Sequence, residues 1–378
     1  MSAQQPVTVR QATLADRAAI FDFVKLAYPD RWQYKIPARW EWEFASNPYW
    51  EGPDPPIWIA VDPAGQVVGQ SGAMVEPLAV GDEEVRVGWS VDTFLLPEYR
   101  GQGLGRDLQR ANDLANPIFM SLSMSDANRH IKSSLGSSPL DPVYTYIKTV
   151  RHNPDEILDA LLDRLPGGTK NLVGRPMKGL RLNRSMARAA SLRVDIRDAI
   201  RSAQSHPSIE VETVPEITPE FDRLWQTVSP DYTALIKRDQ NYLKRKYDAQ
   251  PHTDYHRLVA RKDGVICGYL ILRRGRPPEP NRGILTDLFT APEDGNSIHA
   301  LLGAGIAHLR SQGVESILAA TNWHQYQEAL KTYHFRETGR VIPMIHCREA
   351  PKICDTLLSP GSWLLGRGDH DWDQFPLG

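Results

Sequence analysis

The sequence predicts an α/β protein of the α+β kind, in which two copies of one mixed-sheet fold are joined by a basic helical connector. Three observations lead to this prediction: the order of strand-like and helix-like segments, a weak internal repeat, and a glycine-rich turn between a strand and a helix. The chain of 378 residues is long enough for two domains. Its composition, 41% hydrophobic and 24% charged, is ordinary for a globular protein.

The first copy is predicted over residues 1–150, in the order βα, a run of antiparallel strands, and then βαβαβ. Residues 7–12 alternate like a short strand, and Thr13 is a candidate N-cap for the helical spacing that follows it. Further strand patterns lie at 57–61, 67–80, 83–96, 119–124 and 143–150, and helical patterns lie at 105–115 and 125–136.

Residues 151–208 differ in character, with many cations between Arg164 and Arg201, and they predict a connector with one or two helices. A solvated helix face and an anion-binding surface would both explain this charge. Ordered patterns resume at Ile209, and we predict a second copy over residues 209–350.

The last predicted segment is a tail, residues 351–378, which clusters Asp369, His370, Asp371 and Asp373. The cluster favours an exposed acidic tail, or one docked on the basic connector, over a metal site, and we predict no metal. The three cysteines are too few for a disulfide framework, and their spacing suits no metal. We therefore expect a reduced, cytoplasmic protein.

An internal repeat links the two halves. DLFTAPE (287–293) echoes DTFLLPE (92–98) at an offset of 195 residues, 287 − 92. VARKDGVICG (259–268) similarly echoes IAVDPAGQVVG (59–69). Because these matches fall in the same order on the same kinds of elements, we interpret them as a duplication.

The turn RGQGLG, residues 100–105, joins a strand to a helix. Glycines allow positive φ angles and close approach of a ligand to the backbone. The free N–H groups of a first helical turn carry partial positive charge, so the junction is suited to a phosphate. Its glycine spacing differs from that of the dinucleotide-binding fingerprint, and no Gly-Lys-Ser/Thr of a P-loop follows. An ordinary strand-to-helix turn is the alternative.

The segment with Leu95, Pro97, Arg100, Gly101, Gly103 and Gly105 at the spacing L-x-P-x-x-R-G-x-G-x-G resembles motif A of the GNAT superfamily of acyl-CoA N-acyltransferases. The order of elements over residues 7–150 is similar to that fold as well. The resemblance implies that the turn holds the pyrophosphate of acetyl-CoA, or of another acyl-CoA, as co-substrate. It also implies that the strand before the proline pairs with the pantetheine arm and offers an N–H to the thioester oxygen. The cofactor-binding residues implied in this way are Phe94, Leu95, Leu96, Arg100, Gly101, Gln102, Gly103, Leu104, Gly105, Arg106 and Asn128.

The second copy resembles the same fold without its cofactor turn. Residues 294–300, DGNSIHA, contain one glycine and no arginine where the first copy has three glycines and an arginine. We expect this copy to bind pyrophosphate poorly and to be kept for its shape. Tandem GNAT proteins with one active and one degenerate copy have this arrangement.

Acyl transfer to an amine needs a base, and the candidate is Asp92, five residues before Pro97, where the resemblance implies an acidic residue. Asp92, Phe94 and Leu96 are expected on one face of the strand. Asp287 occupies the same place in the second copy, so a structural role for Asp92 is the alternative. Glu76, Glu83 and Glu84 remain other candidate bases.

The acid is less clear. The family often has a tyrosine four residues before the glycine of a Gly-Phe pair, and this chain has Lys132 there and Ser137 in place of the phenylalanine. Ser133, Ser134 or Tyr144 could act instead, or no acid is needed, because a thiolate leaves readily. Asn128 resembles the asparagine that bonds the pantetheine arm, and a helix N-cap is its alternative role.

The resemblance implies an acetyl-CoA-dependent acyltransferase that works by direct transfer in a ternary complex. The acceptor would be an amine, in preference to a hydroxyl, of a small molecule or sugar, and the tryptophans of the first copy could form an aromatic wall for it or belong to the core. The alternative is a non-catalytic acyl-CoA-binding sensor or scaffold. A net charge of −2 argues against nucleic acid, and no apolar run is long enough to span a membrane. The oligomeric state is left open.

Overall fold

The computed structural model describes residues 7–152, 154–163, 182–203 and 208–373. Contacts divide the chain into two compact units. Unit 1 contains residues 1–143, 217–254 and 340–375, and unit 2 contains residues 144–216, 255–339 and 376–378. The units are interleaved along the chain, whereas the predicted domains are contiguous segments. The predicted boundaries, which follow the repeat, stay a prediction about the two copies.

The strands of the described residues, in chain order, are β1 (Thr8–Gln11), β2 (Ile57–Val61), β3 (Val67–Val80), β4 (Glu83–Leu95), β5 (Ile118–Ser121), β6 (Ser138–Pro139), β7 (Val143–Thr149), β8 (Glu210–Thr213), β9 (Ala234–Ile236), β10 (His256–Lys262), β11 (Val265–Arg274), β12 (Arg282–Thr290), β13 (Ser316–Thr321), β14 (Arg336–Val341), β15 (Met344–Cys347) and β16 (Trp363–Leu364). The α-helices are α1 (Arg17–Ala27), α2 (Ala38–Trp40), α3 (Leu104–Ala115), α4 (Asp126–Ser134), α5 (Pro154–Leu162), α6 (Leu182–Ala203), α7 (Glu220–Val228), α8 (Gln240–Leu243), α9 (Gly295–Ser311), α10 (His324–Thr332) and α11 (Pro351–Leu358).

Unit 1 is built on a mixed sheet in the order β1-β2-β3-β4-β5-β15-β6, and β9 adds to the far part of β3 with β16 beside it. The first four strands are antiparallel, β4 and β5 are parallel, and β15 is antiparallel to β5. The predicted mixed sheet is therefore confirmed. β4 and β5 pair only at Gly88–Phe119 and Trp89–Met120, after which the ladder between them ends. We call this divergence the strand fork.

Helices cover both faces of this sheet because each has an apolar stripe. α1 buries Ile20, Phe23, Val24 and Ala27, the spacing that the sequence predicts. On α3, Leu108 is fully buried against a cluster formed by Trp58, Ala60 and Val68. Burying a leucine side chain stabilises a fold by about 2 kcal/mol, so this contact holds α3 firmly behind β4.

Unit 2 repeats the pattern in a seven-stranded sheet, in the order β8-β10-β11-β12-β13-β7-β14. Its first four strands are antiparallel and β12 and β13 are parallel, as β4 and β5 are in unit 1. α9 lies close to the sheet at Gly305, where a Cβ atom would come within 2.5 Å of the Leu270 Cδ2 atom. The predicted second copy of the fold is confirmed.

The strand beside the parallel pair is exchanged along the chain in both units. In unit 1, β15 comes from the end of the second copy and pairs with β5 from Met344–Ser121 to Cys347–Ile118. In unit 2, β7 comes from the end of the first copy and pairs with β13 from Ser316–Thr149 to Thr321–Tyr144. The sequence shows both strands but not their partners, because strand pairing is a non-local choice.

A second sign of duplication lies within unit 1. α2 continues into the π-helical turn Glu41–Ala45, and α8 continues into the π-helical turn Lys244–Asp248, 203 residues later (244 − 41). Trp42 Nε1 donates to the Arg245 carbonyl oxygen at 3.0 Å, and Arg245 Nη2 donates to the Trp42 carbonyl oxygen at 2.7 Å. Equivalent positions thus hold each other reciprocally.

The predicted connector is helical at both of its described parts, in α5 and α6. Arg184, Arg188, Arg193 and Arg197 are exposed, which favours the solvated-face interpretation of their charge. Residues 164–181, with the cations predicted there, lie outside the described residues.

The expectation of an exposed tail, or one docked on the connector, is wrong for its described part. Residues 367, 369, 370, 371 and 373 are all buried within unit 1. Asp369 pairs with Arg238 at 2.7 Å, and Asp373 pairs with Arg367 at 3.3 Å. Guanidinium partners offset the cost of burying these carboxylates, and no composition signal shows such pairing.

The cysteines depart from expectation as well. Cys347 and Cys354 form a disulfide with a Cα–Cα distance of 5.5 Å, and Cys267 is free. The expected reduced state is therefore wrong for this pair, and the cytoplasmic location stays a prediction. Across the part of the chain that is described, no helix is both long enough and apolar enough to cross a bilayer.

Candidate functional site

The turn after β4 is the predicted anion site. Gly101 and Gly103 have φ angles of 80° and 84°, in the left-handed region that favours glycine. A Cβ atom on either glycine would meet no heavy atom within 4 Å, so the backbone conformation rather than crowding requires glycine here. Gly103 is the N-cap of α3 and has no side chain to bind the first-turn N–H groups. Gln102 between them is exposed and donates only to the Glu98 carbonyl oxygen, at 3.4 Å.

Backbone donors point out of the helix at the start of α3. The Arg106 and Asp107 N–H groups reach back to the Gly103 carbonyl oxygen at 2.9 and 3.1 Å. The N–H groups of Leu104 and Gly105 come earlier in the helix and have no partner within it. Leu104 is 7% exposed and anchors the helix start, whereas the Arg106 side chain is exposed. This arrangement can hold an anion.

Arg100 turns back onto the strand. Its Nε donates to the Leu95 carbonyl oxygen at 3.0 Å, and its guanidinium lies 5.4 Å from the centroid of the Phe94 ring. Arg100 therefore stabilises the bend between β4 and α3, and its exposed end stays on the turn.

A bulge interrupts β4 just before the turn. Ser71 on β3 faces both Asp92 and Thr93, and Asp92 has a φ of 50°. α3 braces the bulge with two polar side chains: Gln109 donates to Thr93 Oγ1 at 2.9 Å, and Asn112 donates to Ser71 Oγ at 3.0 Å. The bulge turns the strand backbone away from regular pairing at the level of the candidate base.

Asp92 forms an ion pair with Lys35, and the two side chains are 9% and 3% exposed. Burial lowers the pKa of Lys35, although Asp92 opposes the shift. Lys35 Nζ lies 4.3 Å from the Tyr28 ring centroid, and that ring lies 5.4 Å from the Phe94 ring. Asp92 and Phe94 thus share one side, as expected. The expectation is wrong for Leu96, which packs behind the sheet beside Leu108 because β4 ends one residue earlier.

Further buried charges surround this pair. Arg39 donates to Glu43 Oε2 at 2.8 Å and to Asp371 Oδ2 at 3.2 Å. Burial raises the pKa of Glu43 to about 7, and Arg39 opposes that shift. His370 Nδ1 lies 2.5 Å from Asp371 Oδ1. Asp92 is therefore one carboxylate of a paired network, and its catalytic role stays a prediction.

The two predicted oxyanion donors have different orientations. The Leu96 N–H donates to the Val68 carbonyl oxygen at 2.9 Å, so it is engaged within the sheet. Leu95 is opposite Gly69, and the bond one residue further on makes this the non-hydrogen-bonded kind of antiparallel pair. The Leu95 N–H therefore points away from β3, towards the open side of the strand fork.

The other sequence candidates have structural partners. Glu76 is fully buried, binds Lys246 Nζ at 2.7 Å and accepts from Tyr242 at 2.9 Å. Glu83 and Glu84 are exposed at the start of β4. Asn128 is half-buried in the first turn of α4, and the N-cap there is Ser125, so the N-cap alternative for Asn128 is wrong.

The corresponding helix start in unit 2 is closed by its own side chain. Asp294 is the N-cap of α9 and accepts from the Ser297 N–H at 3.1 Å and from the Ser297 hydroxyl at 2.6 Å. A carboxylate thus takes the place at which an anion could bind. On the preceding strand, Asp287 accepts from the Tyr269 hydroxyl at 2.8 Å.

Several polar residues of the unit 1 site have no motif that would identify them. The i, i+4 spacing of Arg39 and Glu43 is a signal for their pair, but not for its burial. Lys35 lies 57 residues from Asp92 in sequence, and only the fold brings them together. Gln109 and Asn112, four residues apart on α3 once allowance is made for the turn, read as part of an ordinary polar face.

Comparisons with known proteins were made for the whole chain. No family model and no curated protein matches it. Solved structures do match. A GCN5-related N-acetyltransferase from Anabaena variabilis superposes with a TM-score of 0.58 at 10% identity, covering 94% of this chain and 75% of that chain. A GCN5-related glucosamine N-acetyltransferase region of a fungal multi-domain β-N-acetylglucosaminidase gives 0.53 at 13% identity, covering 90% and 38%.

A third match bears on the domain organisation. A tandem GNAT protein from the clavulanic acid biosynthesis pathway superposes with a TM-score of 0.52 at 12% identity, covering 91% of this chain and 99% of that chain. Together the matches show that this chain has the fold of the GNAT superfamily. It has that fold in its tandem form, with the motif A turn in the first copy and a degenerate second copy.

Proposed function

We propose that the protein is an acyltransferase of the GNAT type, which takes an acetyl or other acyl group from acyl-CoA and transfers it to an amine of a small-molecule or sugar acceptor. The observation that carries this proposal is the open start of α3, where Gly101 and Gly103 have positive φ angles and no side chain caps the helix. The likeness to the N-acetyltransferase structures supports it through the fold.

The residues of the turn fit a pyrophosphate. The Leu104 and Gly105 N–H groups are donors without a partner in the helix, and Arg106 adds an exposed positive charge. The space around Gly101 and Gly103 is open, so phosphate oxygens can approach the backbone closely. We propose that these groups hold the phosphates of the co-substrate, whose thioester supplies the acyl group.

Two groups near the strand fork would serve the transfer. The Leu95 N–H points away from β3, where it can stabilise a developing oxyanion. Asp92 can take a proton from the acceptor only if Lys35 releases it, since the two form a buried ion pair. We therefore propose Leu95 as the oxyanion donor and Asp92 as the base, with Lys35 setting the basicity of Asp92.

Calorimetric titration with acetyl-CoA tests the turn. In Gly103→Glu the new carboxylate would lie among the first-turn N–H groups, and we expect affinity to fall at least about 100-fold, or about 2.7 kcal/mol. Gly103→Ala keeps the site uncharged and reports the effect of backbone strain alone. Gly295→Glu is the matched control, because Gly295 opens the corresponding helix of unit 2 and a Cβ atom there meets nothing within 4 Å.

The expected result is that Gly295→Glu leaves acetyl-CoA affinity unchanged. Equal loss of affinity in Gly103→Glu and Gly295→Glu would overturn the assignment of the turn, and so would full affinity in Gly103→Glu. Release of free thiol over a library of amines and amino sugars then tests the reaction itself.

The second candidate is a non-catalytic acyl-CoA-binding sensor or scaffold. The ion pair between Asp92 and Lys35 favours it, because an engaged carboxylate is a weaker base. Tight acetyl-CoA binding without thiol release across the acceptor library is the result expected from this candidate and not from an enzyme.

A further inference from the structure

Lys132 on α4 is a buried lysine without a hydrogen-bonding partner. It is 3% exposed, and its Nζ has no hydrogen-bond partner among the described residues. The Nζ lies 3.7 Å from the centroid of the Phe119 ring on β5. An ammonium in such a place is costly unless it is paired, and a contact with an aromatic face replaces only part of the lost hydration.

The charged groups around Lys132 do not neutralise it. Asp113 on α3 is the nearby carboxylate, and its Oδ2 is bound by His346 Nδ1 and Arg348 Nη1, each at 2.8 Å. Asp113 Oδ1 and Ser121 Oγ are buried without a hydrogen-bond partner among the described residues. The carboxylate is thus shared with two other cationic groups.

On its own helix, Lys132 follows Asp126, Arg129 and His130. Asp126 and His130 are exposed, and Arg129 donates to the Ile342 carbonyl oxygen at 3.3 Å. None of the three forms a contact with Lys132 that would fix its charge. Burial lowers the pKa of Lys132 to about 7, and Asp113 opposes the shift.

Lys132 also lies at the closed end of the strand fork. Phe119, on which it rests, pairs with Gly88, and the next pair, Trp89–Met120, is the last one before β4 and β5 diverge. Its neighbour Ile131 contacts the start of α3, where Ile131 Cδ1 is 3.8 Å from the position of a Cβ atom on Gly105. One helix therefore touches the phosphate-binding turn with one side chain and the base of the fork with the next.

We propose that Lys132 is the proton donor to the leaving thiolate at the base of the strand fork. An N–H bond of the ammonium breaks and an S–H bond forms, as the acyl–sulfur bond breaks and the bond from acyl carbon to acceptor nitrogen forms. Lys132 is left as a neutral amine, which is protonated again by solvent before the next cycle, and the surplus proton of the acceptor leaves to the base. This inference rests on the proposed function.

The first test is independent of activity. Nuclear magnetic resonance of protein labelled with ¹³C at lysine Cε gives the titration midpoint of Lys132, and the signal lost in Lys132→Met assigns it. We expect a midpoint near 7 and a change in that signal when coenzyme A is added. A midpoint near the ordinary lysine value of about 10.4, with no response to coenzyme A, overturns the proposal.

The second test is the pH profile of kcat. The wild-type rate should fall as pH rises above about 7, because the donor loses its proton, and Lys132→Met should lower kcat about 100-fold and abolish that fall. Lys132→Met should keep its thermal stability and its affinity for acetyl-CoA, since it removes a buried unpaired charge. A folded Lys132→Met with unchanged kcat and pH profile overturns the proposal.

Two other outcomes separate the levels of the argument. A stable acyl group found on Lys132 by mass spectrometry would make it a nucleophile and overturn its role as a donor. Absence of acetyl-CoA binding by the wild-type protein would overturn both the proposed function and this inference. Binding and turnover that do not respond to Lys132→Met overturn the inference alone.

Discussion

The helix starts of α3 in unit 1 and α9 in unit 2 follow strands that echo each other, yet they are closed in opposite ways. α3 begins after Gly103, whose φ of 84° leaves the first-turn N–H groups open. α9 begins after Asp294, which binds both the N–H and the hydroxyl of Ser297. The same type of backbone site faces outward in one copy and is filled from within in the other.

This difference shows how a duplicated fold can lose an anion site and gain stability by the same substitution. A side-chain cap stabilises a helix by about 1 kcal/mol relative to alanine, which a glycine that must stay open for a ligand gives up only in part. The stable, closed version in unit 2 therefore needs no ligand, and the open version in unit 1 is the one that a ligand would complete.

The two bulged strands differ in a parallel way. Asp92 in unit 1 is neutralised by a buried ammonium, Lys35, whereas Asp287 in unit 2 accepts from a neutral hydroxyl, Tyr269. A residue kept in both copies thus has two different partners. The charged pair is the one that could change its protonation during a reaction.

The largest effect is expected for Asp92→Ala. It leaves Lys35 buried without this counter-charge, and breaking such a pair costs about 3–5 kcal/mol of unfolding free energy. Asp287→Ala is the matched control in the other copy and should cost less, about 1–3 kcal/mol, because it leaves a hydroxyl rather than an ammonium without its partner. Urea denaturation of both variants measures the difference.

Lys35→Met combined with Asp92→Ala sharpens this comparison. The double variant should be more stable than Asp92→Ala alone, because no charge is then left in the site. If the double variant is the less stable of the two, the ion pair does not explain the burial of Asp92. If Asp287→Ala costs more than Asp92→Ala, the contrast between the copies fails.

A smaller effect is expected for Asp294→Ala. Loss of the cap should lower the unfolding free energy by about 1 kcal/mol, whereas Asp294→Gly should lower it by a few tenths. Thermal unfolding followed by circular dichroism measures both. Equal costs for alanine and glycine would show that the side chain of Asp294 does not act through the helix start.

The sequence predicted those parts of this comparison that depend on local chemistry. Three glycines in RGQGLG against one in DGNSIHA indicate an open and a closed turn, and the repeat of DTFLLPE indicates two copies of one fold. The partners of β7 and β15 could not be predicted, since an alternating strand such as VYTYIKT fits either sheet edge. The burial of Asp371 depends on Arg39, more than 300 residues away, and no local pattern encodes such a pair.

The smallest effect is expected for the histidines of unit 2. His256 stacks on His308 with ring centroids 3.5 Å apart, and its Nε2 lies 3.1 Å from Thr213 Oγ1. Burial lowers the pKa of His256 to about 4, and the nearby His308 lowers it further. The folded state thus prefers the neutral ring, while the unfolded chain binds a proton near pH 6.5.

The sign of the pH dependence follows from that preference. As pH falls from about 6.5 to about 4, the unfolded state binds more protons than the folded one, so His256 makes the fold less stable. His256→Gln should remove this part of the acid sensitivity and leave stability at pH 8 nearly unchanged. Urea denaturation of both proteins at pH 8 and pH 5 measures it, and an equal loss of stability in the two between those pH values would show that the stacked pair is not the acid-sensitive group.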